Sequence, residues 1–265
     1  MHLKRWLTGI IALPVLIYLI GFAPRWLFHG FLCAAAVMSL LEFTRMAVPG
    51  LPRTLKAIST APVLLLFWAA STGSYFLLLA LLSLCSGAPL VFHLFAGDVG
   101  RSEAVEHASR ITFGFVYACL PLAMLVFIDR HPAGNVWIFF LLSVIFASDT
   151  GAFYFGRFFG KRRLHPSVSP GKTWEGAFGG LLCSLIPVYV FQQFFYVGKV
   201  SVFFLALLLS VVGQVGDLAE SLMKRAYGIK DSGGILPGHG GLLDRIDALI
   251  FAIPVLYAYL TWVSR

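Results

Sequence analysis

The sequence predicts an all-α polytopic integral membrane protein of about nine transmembrane helices, N-terminus cytoplasmic and C-terminus outside. Three observations carry that expectation. Hydrophobic residues make up 59% of the 265-residue chain and charged residues only 12%. Mean hydropathy is +0.86, more apolar surface than a soluble fold of this length could cover. The apolar residues also fall in runs near the ~18 or more residues that can cross a bilayer, and no polar segment is long enough for a sizeable soluble domain.

A basic start, Met1 to Arg5, precedes the first apolar run, Trp6 to Phe22. The pair resembles the first two regions of a signal peptide. The length of the run, and the spans that follow at once, favour a retained span over cleavage after Ala23. Further runs lie near 26–43, 56–72, 75–96, 111–128, 136–156, 177–197, 201–220 and 246–263. With the N-terminus inside, sixteen of the twenty Lys and Arg residues fall on the inner side, and only Arg25, Arg130, Lys199 and Arg265 on the other. Removing any middle span would scramble this asymmetry. The net charge of +8 therefore reads as basic inner loops, with no nucleic-acid partner. Cys33, Cys85, Cys119 and Cys183 are scattered through apolar runs without a CxxC pair, and read as small buried residues.

Residues 1–130 form an N-terminal part of lipid-facing and assembly helices, poor in chemistry. Glu42, three residues before Arg45, is expected to pair locally with it. Asp98, Glu103, Glu106 and His107 are expected in a short, solvated inner loop. Residues 131–265 form the catalytic part. Asp149 lies 14 residues past Asn135, about 21 Å along a helix and so in the inner leaflet. A carboxylate there must be paired, hydrated or bound to a cation; pairing with an Arg of a neighbouring span remains an alternative. Gly151 and Gly156 suit close helix packing beside it.

The next inner loop ends in SPGKTWEG. It is not a P-loop, because Pro166 stands where the first glycine is needed. It is read as a polar turn bearing Ser169, Lys172, Thr173 and Glu175 at a helix start, where hydroxyls and open N–H groups suit a phosphate. Asp217 falls about 24 Å past Ser201 if helical, again in the inner leaflet. Asp217, Glu220, Ser221 and Lys224 are spaced to share one helical face. A plain Glu220–Lys224 pair on a solvated face would explain those two residues and leave Asp217 unexplained.

After Lys224, Arg225 and Lys230 come Gly233, Gly234, Gly238, Gly240 and Gly241 around Pro237 and His239, then Asp244, Arg245 and Asp247. Such glycines let backbone approach a ligand closely. Carboxylates from two spans beside basic residues suit a divalent ion and a polyphosphate. His239 taken alone could be an ordinary loop histidine.

The segment from Ser221 through Lys224, Arg225, Lys230, Asp231, Gly233, Leu236, Pro237, His239, Gly240, Gly241, Asp244, Arg245 and Asp247 resembles, in register, the signature of the phosphatidate cytidylyltransferase (CDP-diacylglycerol synthase) family. The stretch SDTGAFYFGRFFGKRRLHPSVSPGKTWEG is similar to a second block of that family, with Ser148 in place of a small apolar residue. The resemblance covers roughly residues 135–250.

It implies condensation of CTP with phosphatidic acid to CDP-diacylglycerol and pyrophosphate, with Mg²⁺ and room for a second cation. Asp217, Asp244, Lys224, Arg225, Lys230, Arg245 and His239 are the implied catalytic residues. Ser169, Lys172, Thr173, Ser221, Gly240 and Gly241 would bind substrate. The metal ligands would come from Asp217 and Asp244, with Asp149, Glu220 and Asp247. The implied setting is a bacterial inner membrane, with the site facing the cytoplasm among membrane lipids and a homodimer left open. An ion-relaying transporter would instead need polar groups facing both sides and an internal repeat. Another CTP-dependent lipid-activating enzyme would differ in its acceptor.

Overall fold

The computed structural model describes residues 13–96, 100–195, 199–234 and 240–263. Among them, eight helices are long and apolar enough to cross a membrane. They correspond to eight of the nine expected runs. Of the ninth run, residues 6–22, the first seven residues lie outside the described ones; residues 13–21 are helical (α1). The chain divides into two compact units. The first comprises Met1–Phe127 with Asp231–Asp244, the second Ile128–Lys230 with Arg245–Arg265.

In the first unit, α2 (Arg25–Ala47) and α3 (Arg53–Thr72) each begin directly after a proline, Pro24 and Pro52. Proline fixes φ and has no N–H to lose at a helix start. The α4 helix (Tyr75–Ala96) follows after a two-residue connection. It is the most exposed of the spans in this unit, with only 11% of its window buried. It presents Phe76, Leu79, Leu84, Leu94 and Phe95 outward, a surface suited to lipid and not to water.

Residues 101–130 form one candidate span: α5 (Arg101–Gly114), a π-helical turn (Phe115–Cys119) and α6 (Leu120–Arg130). Glu103, Glu106 and His107 therefore lie on a helix, not in the expected loop; Asp98 is outside the described residues. The helix is favoured because Glu103 pairs with His107 and Glu106 with Arg110, one turn apart. At Gly114 the helix runs against the Phe43 ring, where any Cβ would collide.

In the second unit, α7 (Gly134–Phe159) leads into a short antiparallel hairpin, β1 (Arg163–His165) and β2 (Ser169–Thr173). The expected polar turn is this hairpin. The α8 helix (Trp174–Cys183) breaks at Ser184–Leu185, and α9 (Ile186–Phe191) and a 3₁₀ turn (Gln192–Phe194) complete that span. The α10 helix (Lys199–Ala226) carries the start of the signature segment and α11 (Leu243–Val263) its end; the first two residues of α11 belong to the first unit. Glycines set the spacing: Gly151 abuts Cys183 and Gly179, Gly176 abuts the Ala152 carbonyl, and Gly216 abuts the Asp247 carbonyl. Small residues let helix backbones approach closely in a bilayer.

Candidate active site

The second unit brings its polar groups together at the ends of α7, α10 and α11 and along the hairpin. Close contact of α10 with α11 at Gly216 sets Asp217 beside Asp247. Close contact of α7 with α8 and the hairpin, through Gly156 and Gly160 against Thr173, brings β2 alongside α7. Asp149 is consequently within electrostatic reach of Asp217, Asp247 and Lys172.

Lys172 Nζ lies 2.6 Å from Asp217 Oδ2, with the two side chains 27% and 35% exposed. The pair joins the two polar segments that the sequence set apart, with the Lys172 Nζ atom itself buried. One turn beyond Asp217, Glu220 is fully buried and pairs with Lys224 Nζ at 3.4 Å. Glu220 also lies close enough to Asp247 to influence its carboxylate. The Glu220–Lys224 pair exists, but inside the protein and not on a solvated face.

Asp149, Asp217, Glu220 and Asp247 thus group around two lysines. Among the described residues, no three acidic, His or Cys side chains converge as a ready metal-binding group.

A buried polar layer fixes the helices next to the cluster. Ser148 Oγ and Ser210 Oγ are 2.7 Å apart, and Gln214 Nε2 donates to the Ala177 carbonyl at 3.2 Å. The three residues tie α7, α8 and α10 together, and Ser148 immediately precedes Asp149. Thr173 Oγ1 accepts the Gly176 N–H at 3.1 Å and caps α8. Glu175 accepts the backbone N–H of Lys161 at 3.0 Å and of Arg162 at 3.2 Å, closing the loop after α7. Arg225 Nε donates to the Val168 carbonyl at 3.4 Å, linking the end of α10 to the hairpin loop. Ser169 and Ser221 are half-buried, and Lys230 and Arg245 are exposed.

The first unit holds the glycine-rich segment. Both Asp244 carboxylate oxygens accept the Ser232 N–H, at 3.2 and 3.0 Å, and Oδ2 also accepts the Gly241 N–H at 2.9 Å. Gly240 has φ +81°, a conformation that side chains resist. His239 lies outside the described residues, as do residues 235–238.

The same unit contains a carboxylate whose place the sequence did not reveal. Glu42 is 0% exposed. Its Oε1 accepts the Leu242 N–H at 3.0 Å, and its Oε2 accepts the Leu243 N–H at 2.9 Å and the Ser232 hydroxyl at 3.4 Å. Local pairing with Arg45 is therefore replaced by a long-range bracket. Position in the helix was the available signal: Ser39, Glu42 and Met46, all buried, are spaced along one face of α2.

Comparison with known proteins extends over the whole chain. The model of the Cytidylyltransferase family matches residues 3–263. A Staphylococcus epidermidis protein named phosphatidate cytidylyltransferase is 34% identical over 95% of this chain and 96% of its own length. The Bacillus subtilis protein of that name is 33% identical over 98% of each chain. That of Staphylococcus aureus is 35% identical over 95% of this chain and 96% of its own. With its family signature residues spread over the carboxylate–lysine cluster and the bracketed glycine loop, the chain belongs to the cytidylyltransferase family.

Proposed function

We propose that the protein transfers a cytidylyl group from CTP to phosphatidate, releasing pyrophosphate and leaving CDP-diacylglycerol in the membrane. End-to-end similarity to bacterial proteins bearing the name phosphatidate cytidylyltransferase carries the reading. The carboxylate–lysine cluster at the helix ends of the second unit supports it.

In the proposed reaction an oxygen of the lipid phosphate attacks the α-phosphorus of CTP. A new P–O bond forms there, the bond from the α-phosphorus to the bridging oxygen of the β-phosphate breaks, and pyrophosphate leaves with the electron pair. No covalent bond to the protein is required, so positioning and charge neutralisation account for the rate. Lys172, steadied by Asp217, neutralises phosphate oxygens from the hairpin side together with Ser169. Lys224, Arg225, Lys230 and Arg245 supply positive charge for the triphosphate and the lipid phosphate. Glu220 holds Lys224 in place.

Asp149, Asp217 and Asp247 fit a Mg²⁺ requirement, since their oxygens are hard donors and together with Glu220 they outnumber the two lysines in the cluster. When bound there, Mg²⁺ would offset the charge of the phosphate oxygens. The basic-residue asymmetry supports a cytoplasmic position for these helix ends, and the bacterial relatives support the inner membrane.

Incubation of the purified protein with phosphatidate and CTP labelled at either the α- or the γ-phosphorus tests the bond that breaks. The lipid product should carry the α-label and never the γ-label. Transfer of the γ-label would make the protein a lipid kinase instead.

A further inference from the structure

We propose that Glu42 is a positioning residue for the transfer reaction, acting by tying Ser232 to Leu242 and Leu243, on the two flanks of the glycine-rich segment. The inference rests on the reading above for its reaction and on geometry for its role. Glu42 belongs to α2, in the part of the chain otherwise occupied by membrane helices. Its partners among the described residues are the Leu242 and Leu243 N–H groups and the Ser232 hydroxyl. These donors lie on both flanks of the segment, so one buried carboxylate ties the two flanks together.

Two glycines are shaped around that carboxylate. A Cβ at Gly233 would stand 2.6 Å from Glu42 Oε1, and one at Gly241 would stand 2.6 Å from Oε2. The space opened by these glycines is thus filled by Glu42, and part of the glycine pattern that reads as room for a ligand is room for this side chain. The negative charge also sits against the first N–H groups of α11, where a helix start favours an anion. Asp244 completes the bracket from within, accepting the Ser232 and Gly241 N–H groups. Each carboxylate thus accepts from both flanks of the segment. Losing Glu42 would leave buried N–H groups unpaired, a cost large enough to let the two flanks separate.

The test uses full-length, detergent-purified Glu42→Gln, matched in shape but without the charge, with Gly233→Ala as a second variant that crowds the carboxylate and keeps it. Turnover of CTP and phosphatidate, its dependence on CTP concentration, and hydrogen exchange of the peptide covering 232–243 are measured. The expected result is a fall in kcat of about 10- to 100-fold, with little change in the KM for CTP and faster exchange in that peptide, in protein that elutes as wild type. Restoration of part of kcat by Glu42→Asp would support the role of charge. Wild-type kcat and unchanged exchange in Glu42→Gln would overturn the inference. Should that variant fail to fold, the same two results in Gly233→Ala would overturn it. Wild-type protein that makes no CDP-lipid would refute the reaction, while the exchange experiment would still decide whether Glu42 holds the segment.

Discussion

Lys172 on the hairpin and Asp217 near the end of α10 form an ion pair at 2.6 Å, in reach of Asp149 and Asp247. Single replacement of either partner should therefore disturb more than one contact. Asp217→Asn is expected to lower kcat about 100-fold, and Lys172→Met to raise the KM for CTP about 10-fold. Because the residues are in contact, the double variant should lose less than the product of the two single losses. Steady-state kinetics on all four proteins gives the answer; strictly multiplicative losses would mean that the pair has no functional coupling.

Asp244 accepts backbone N–H groups from Ser232 and Gly241. Asn at this position removes the charge and turns an N–H₂ toward at least one of those donors. Asp244→Asn should abolish measurable turnover while expression and elution profile are retained. Activity near that of wild type would remove Asp244 from the machinery.

Helix packing makes a separate prediction. A Cβ at Gly151 would come within 2.6 Å of Cys183 and 2.8 Å of the Gly179 carbonyl, whereas Gly171 has nothing within 4 Å. Gly151→Val should destabilise the protein by about 1–3 kcal/mol, and Gly171→Ala should leave it unchanged. Thermal unfolding in detergent, followed by size-exclusion chromatography, measures both. Equal melting temperatures for the two variants would contradict the close α7–α8 contact.

Much of this architecture was legible because long apolar runs declare membrane helices directly. Counting helical rise also placed Asp149 and Asp217 at similar depth, and they do share a cluster. Glu42 was hidden for a physical reason. Its partners lie 190 to 201 residues away, and two of the three are backbone N–H groups, which every residue possesses. The α5 helix was missed because Glu103, Glu106 and His107 are polar enough to suggest a loop, although their one-turn spacing to partners supports a helix. Hairpin β1–β2 contains Pro166, Pro170 and Gly171, which signal a turn without telling whether its flanks pair.

The orientation proposed from charge can be tested at the open position of Gly171. In a cysteine-free background, Gly171→Cys should react with an impermeant maleimide in inside-out vesicles and not in intact cells. Labelling in intact cells would place the hairpin outside and reverse the topology.

Release of pyrophosphate by the purified protein, given CTP, Mg²⁺ and phosphatidate and with each omitted in turn, tests the central claim most directly. Release should require all three and be matched by one CDP-lipid formed per pyrophosphate. Release without phosphatidate, or none from intact folded protein with all three present, would contradict cytidylyl transfer to this lipid.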